Sequence, residues 1–164
     1  MTNPDASLLK VRRSIHIKAP PERVWQAFTS KAWMDQWWGL TAGSPEAGTS
    51  KGQWLTVYEP RVGGRIEMAV MLGGTRASYG GVIKMLTPAM ELTFENDWMP
   101  NRGWAMPTFM TLRLSAGLDG TLVELFHYGF EHTGPDASAE HAGYETGWGM
   151  MQLSALKTLV EGKR

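Results

Sequence analysis

The sequence predicts an α+β fold: a curved antiparallel sheet of six to seven strands wrapped around a long C-terminal helix, with two short helices after the first strand. Three observations carry this prediction. Short segments with alternating apolar residues follow one another across the middle of the chain, separated by glycine- and proline-bearing turns. From Gly147-Trp148 onward, apolar residues recur at Met151, Ala155 and Leu159, close to one per helical turn. A third segment, Ala19 to Gly39, reads as a helical pair inserted between the first strand and the rest.

The elements follow in order. Met1 to Lys10 is polar, and a disordered or extended lead-in without a secretory leader is expected there. Residues 11–164 are expected to form one domain. Val11 to Lys18 alternates, with Val11, Arg13, Ile15 and Ile17 on one face, and reads as a strand with one buried side. At Ala19-Pro20-Pro21-Glu22 the prolines suit a first helical turn and Glu22 suits its positive end. Val24, Trp25 and Phe28 form the apolar stripe of that helix. Ser30 is placed to cap a second short helix carrying Trp33, Trp37 and Trp38, which Gly39 ends. Leu40 to Gly52 has no period and reads as a surface loop.

Strands are then expected over about Gln53 to Glu59, Arg65 to Leu72, Arg76 to Leu86, Glu91 to Trp98, Thr108 to Ala116 and Thr121 to Tyr128. Gly63-Gly64, Gly73-Gly74, Thr87-Pro88-Ala89-Met90 and Leu118-Asp119-Gly120 mark turns, which implies an antiparallel meander. Met99 to Pro107 is a longer connection, and one continuous helix is expected over about Ala137 to Glu161. Alternation places four sets on the face toward that helix: Ile66, Met68 and Val70; Leu92, Phe94, Asn96 and Trp98; Met110, Leu112 and Leu114; Val123, Leu125 and His127. A one-residue slip would invert any set.

Composition narrows the function. With 164 residues, 16 Lys and Arg against 16 Asp and Glu, the chain carries no net charge, so a broad nucleic-acid footprint is not expected. The absence of cysteine excludes disulfides, thiol nucleophiles and thiolate metal sites. The longest apolar run, Met68 to Leu72, is too short for membrane insertion, and a cytoplasmic protein is expected. Eight Trp and eleven Met are many for this length. Such residues suit either a large-residue core or a cavity lined by adaptable apolar groups.

The segment Lys18-Ala19-Pro20-Pro21-Glu22-Arg23-Val24-Trp25-Gln26-Ala27-Phe28 resembles the opening of START-like, or helix-grip (SRPBCC), domains. Trp37-Trp38, Glu59-Pro60-Arg61-Val62-Gly63-Gly64-Arg65, His127 with Gly129-Phe130, and Gly147-Trp148 extend the likeness over nearly the whole chain from Val11. The branch is the family related to the C-terminal domain of the activator of heat-shock-protein-90 ATPase. The resemblance implies a helix-grip fold and an apolar guest between sheet and C-terminal helix; the superfamily includes lipid carriers, hormone binders and polyketide cyclases. Gln152, one turn after Trp148, departs from the apolar residue expected there and puts the helix register in question.

Few residues announce chemistry. Of the four histidines, His16 and His132 are expected in solvent, and His141 and Glu145 at i, i+4 are too few for a metal site. No phosphate loop and no nucleophile elbow occurs. No metal, cofactor or catalytic residue is expected. His127, on the inward face, reads either as a buried, hydrogen-bonded histidine or as a group that orients a guest or acts as a base.

The leading expectation is a cavity for a small hydrophobic or amphipathic molecule. Its wall candidates are Met68, Trp98, Met110, Leu112, Leu125, His127, Trp148 and Met151, with hydroxyl anchors at Tyr58, Tyr79 and Tyr144. One alternative is a cyclase- or hydrolase-type enzyme in the same cavity, although Glu67, Glu95 and Glu124 should all face away. The other is a protein-interaction module with a chaperone or a second copy as partner, its apolar patch at the loop around Trp104.

Overall fold

The computed structural model describes residues 3–39, 53–72 and 74–162. The loop expected over Leu40 to Gly52, and Gly73 of the second glycine pair, lie outside them.

Seven strands form one antiparallel sheet: β1 Lys10–Ile17, β2 Gln53–Tyr58, β3 Arg65–Leu72, β4 Thr75–Thr87, β5 Glu91–Met99, β6 Thr108–Ala116 and β7 Thr121–Tyr128. Their order is β1-β7-β6-β5-β4-β3-β2, so six strands run as a meander and β1 pairs with the last of them. The inward sets read from the sequence hold: Leu92, Phe94, Asn96, Met110, Leu112, Leu114, Val123, Leu125 and His127 are all buried. Registers such as Phe94 opposite Met110 and Leu112 opposite Leu125 stack these side chains across neighbouring strands.

The chain crosses from β1 to the far sheet edge through a short helical segment. α1 Pro21–Trp25 runs into a 3-10 turn at Gln26–Phe28, and α2 Lys31–Met34 runs into a π-helical turn at Asp35–Gly39. The Ser30 hydroxyl accepts from the Trp33 amide at 3.2 Å, which fixes the start of α2. Trp25, Phe28, Trp37 and Trp38 then pack ring on ring, and Trp38 reaches Phe94 on the sheet at 6.2 Å. The tryptophans are thus spent partly on tying this segment to the core.

The C-terminal helix is the main correction to the sequence reading. The single helix expected over Ala137 to Glu161 is two helices, α3 Ala137–Gly147 and α4 Met151–Glu161, broken at Trp148-Gly149-Met150. Trp148 has ψ 122°, an extended value that ends α3. Gly147 and Gly149 flank the break and supply little helical preference. The expected apolar stripe holds in part: Ala155 and Leu159 pack half-buried against the core, Leu153, Leu156 and Val160 are the buried residues of α4, and Met151 is 68% exposed. Gln152 marks the departure in the sequence. α4 packs against β1 and the Asp35–Gly39 turn, while no residue of α3 is buried.

The N-terminal segment is held in place. The Glu131 carboxylate accepts from the Ser7 hydroxyl at 2.9 Å and the Leu9 amide at 3.2 Å. Among the described residues, no helix is long and apolar enough to cross a membrane.

Candidate ligand cavity

The two C-terminal helices do different work. α4 fills the core, and α3 covers space that it does not fill. Asp136, Ala139, Glu140, Gly143, Tyr144 and Gly147 recur at helical spacing and face the sheet. Several are small, so the helix wall stands back from the strands. The result is a cavity of about 840 Å³ between α3, the α3–α4 break and the concave face of the sheet.

The strands supply the opposite wall: Ile66, Met68 and Val70 from β3, Phe94, Asn96 and Trp98 from β5, Met110 from β6 and His127 from β7. Trp38 and Trp148 close one end, their rings 6.4 Å apart. Gly80 also lines the cavity, at a φ of +139°. A Cβ there would strike the Ile66 carbonyl, so only glycine lets β4 approach β3 this closely.

Three hydrogen-bonded groups fix the polar parts of the wall. The first is a relay through His127, which is 1% exposed. The Trp148 indole N–H lies 3.1 Å from His127 Nδ1. An indole nitrogen only donates, so Nδ1 is the acceptor and the neutral ring carries its proton on Nε2. Nε2–H then donates to Thr108 Oγ1 at 2.8 Å, and that hydroxyl donates to the Asn96 carbonyl at 2.8 Å. Burial, with the nearby His141 adding to it, holds the His127 pKa down at about 3. Both ring nitrogens are engaged, so the imidazole has no lone pair for a guest. Of the two readings of His127, this geometry fits the buried, hydrogen-bonded histidine.

The second group is Tyr79, whose hydroxyl donates to Gln53 Oε1 at 2.6 Å. The third is Tyr144, whose hydroxyl is hydrogen-bonded by the Trp98 indole; burial raises its pKa above the ordinary tyrosine value. Asn96 differs from both. It is 6% exposed, and its carboxamide makes no hydrogen bond among the described residues.

Of the residues expected at the site, Met68, Tyr79, Trp98, Met110, His127, Tyr144, Trp148 and Met151 line the cavity. Three do not. Leu112 and Leu125 lie within the packed core at 0% and 1% exposure. Tyr58 turns away, its hydroxyl donating to the Phe28 carbonyl at 2.7 Å. Sequence reasoning missed Trp38, Gly80 and Gly143, and placed Asn96 on the inward face without counting it as a cavity residue. The small residues at helical spacing on α3 were the signal that could have found that wall.

Outside the cavity the other expectations divide. Glu67 pairs with Arg65, Glu95 with Lys84 and Glu124 with Arg12, all away from the helices as read. His141 and Glu145 do meet at 3.7 Å, and His141 Nε2 donates to the Lys10 carbonyl. His132 is not simply solvated: its Nε2 is buried without a hydrogen-bond partner among the described residues. In the loop expected to carry an apolar patch, Trp104 itself is 8% exposed and packs on Tyr144, while Met106 is 46% exposed. Arg102 stacks on Trp98 at 4.4 Å.

Comparison with known proteins matches the architecture. The sequence model of the family described as "Activator of Hsp90 ATPase homolog 1-like protein" matches residues 18–161. No curated protein matches the chain. Among solved structures, protein CV1439 from Chromobacterium violaceum superposes with a TM-score of 0.68 at 21% identity, covering 94% of this chain and 99% of its own. The Aha1 dimer from Colwellia psychrerythraea gives 0.58 at 20% identity, covering 96% and 100%. DynU16, from the dynemicin biosynthetic locus, gives 0.60 at 17% identity, covering 93% of this chain and 47% of its own. At these identities the structures show the shared helix-grip fold.

Proposed function

For a chain that belongs to the activator of Hsp90 ATPase homolog 1-like family, we propose that the function is to bind a small hydrophobic or amphipathic molecule in the cavity beneath α3. The observation that carries this reading is the unfilled space itself. A chain with eight Trp and eleven Met has the volume to close a core, yet about 840 Å³ stays open among them. That volume falls in the range of about 300–1,000 Å³ that accommodates drug-sized ligands. At about 0.3 kcal/mol per heavy atom, a guest of about 25–30 atoms supplies the ~8 kcal/mol of micromolar binding.

The wall chemistry supports the same reading. Trp38, Phe94, Trp98 and Trp148 offer flat apolar faces, and Met68 and Met110 adapt to irregular shapes. The relay that occupies both nitrogens of His127 favours holding a guest over proton transfer at this residue.

Native mass spectrometry of protein purified from its own host tests the proposal. A reproducible compound should accompany the wild type and be lost from Gly143→Leu. Gly143 lines the cavity, and a Cβ there meets nothing within 4 Å, so the substitution adds apolar volume at the wall without a backbone clash at the Cβ. Leucine should also strengthen α3 by about 0.5–1 kcal/mol. A bare mass for the wild type, or equal retention by the filled variant, would overturn the proposal.

A further inference from the structure

We propose that Asn96 is the polar anchor of the cavity, selecting neutral guests that carry a carbonyl or hydroxyl oxygen on an apolar body. The inference rests on the ligand-binding reading above and specifies the class of ligand. Asn96 is 6% exposed as a residue and lines the cavity, and its carboxamide makes no hydrogen bond to another described residue. Its amide atoms are open to the cavity space and are not sealed off in the sheet, so whatever occupies that space is what they bond.

The main chain at this position is held by the sheet. The Asn96 carbonyl accepts from Thr108 Oγ1, and Asn96 pairs across the sheet with Thr108. The relay through His127 and Trp148 locks that hydroxyl in turn. The side chain is therefore presented on a fixed backbone, with the indole of Trp98 two residues along the same strand face. An amide that can both donate and accept suits a ketone, lactone, amide or hydroxyl group equally in kind.

Charge sets the other limit. Asp136 and Glu140 line the cavity from α3, and no Lys or Arg does so among the described residues. A carboxylate-bearing amphiphile would meet like charge from these two side chains, while the Arg102 guanidinium is stacked on the Trp98 ring. Neutral oxygenated guests meet neither obstacle.

Three matched fluorescent probes test this: 1-acetylpyrene, 1-ethylpyrene and 1-pyrenecarboxylate, titrated into wild type, Asn96→Leu and Asn96→Ala. The ratio of acetyl to ethyl affinity should fall about fivefold in both variants, the scale of one hydrogen bond. The carboxylate should bind wild type at least about tenfold more weakly than the ketone, a modest share of what like-charge juxtaposition costs at an interface. The carbonyl stretch of bound 1-acetylpyrene gives a second readout in wild type alone: it should lie in the hydrogen-bonded range, whether or not a variant folds. An unchanged ratio with a free-carbonyl stretch overturns the anchor while leaving the cavity reading intact; a water then satisfies Asn96. Equal binding of the carboxylate overturns the neutral class. If no probe binds although the host compound is found, this inference alone fails; if neither is found, both fail.

Discussion

Acid should destabilise this protein through His127 before carboxylate titration dominates. The imidazole is buried and neutral, with Trp148 on Nδ1 and Thr108 on Nε2, and its folded pKa is held at about 3 against an unfolded value of 6.5. A group whose folded pKa is depressed stabilises above its unfolded pKa and withdraws that stability as pH falls toward the folded one. Here the unfolded chain gains a proton below pH 6.5 that the folded chain refuses. At about 1.36 kcal/mol per pH unit, the loss between about pH 7 and 5 is about 2 kcal/mol. For a chain of this size that is about 4–8 °C in Tm. Urea unfolding of wild type and His127→Gln at both pH values measures it. The wild type should lose about 2 kcal/mol more than the variant over that interval. Equal losses, or an imidazole NMR titration with a midpoint near the ordinary value, would refute the buried relay and restore His127 as a candidate base.

Trp148→Phe removes the indole N–H and leaves His127 Nδ1 buried without a donor; stability should fall by about 1–3 kcal/mol in denaturant unfolding. Leu156→Ala should cost about 2–5 kcal/mol, whereas Met151→Ala should change stability by less than about 0.5 kcal/mol, a contrast that verifies the register of α4 by thermal melting. The Arg13 guanidinium donates to the Glu145 carbonyl at 2.8 Å and the Trp148 carbonyl at 3.1 Å, clasping the end of α3. Arg13→Ala should therefore speed amide hydrogen exchange throughout α3 while leaving β5–β7 protected.

The sheet was legible because its signal is local. Alternation in Arg65–Leu72, Thr108–Ala116 and Thr121–Tyr128 sets both the strand ends and the buried face, and short turns enforce antiparallel neighbours. The C-terminal helix was less so. Met151, Ala155 and Leu159 make a plausible stripe, but Leu153, Leu156 and Val160 make an equally regular one, and only packing against β1 and the Asp35–Gly39 turn decides between them. At the break, Gly147 and Gly149 on either side of Trp148 were visible in the sequence, whereas the bond from its indole to His127 is a tertiary contact that no spacing reveals.

The cavity was half visible. Residues on strand faces, such as Met68 and Met110, were identified because alternation points them inward. Leu112 and Leu125 share those faces yet lie in the packed core, since alternation gives a face and not a depth. The α3 wall escaped notice because its cavity-facing positions include Ala139, Gly143 and Gly147, which carry no apolar signal to count. Asn96 was placed on the correct face, but its lack of a partner is a property of the assembled sheet.

The most direct test of the ligand cavity is a crystal structure of the protein purified from its own host, inspected between α3 and the sheet. Continuous density beyond ordered water, lying against Trp98 and Trp148 with a polar atom at Asn96, is the predicted result. A space closed by rearranged Trp and Met side chains, or holding water alone, would contradict it.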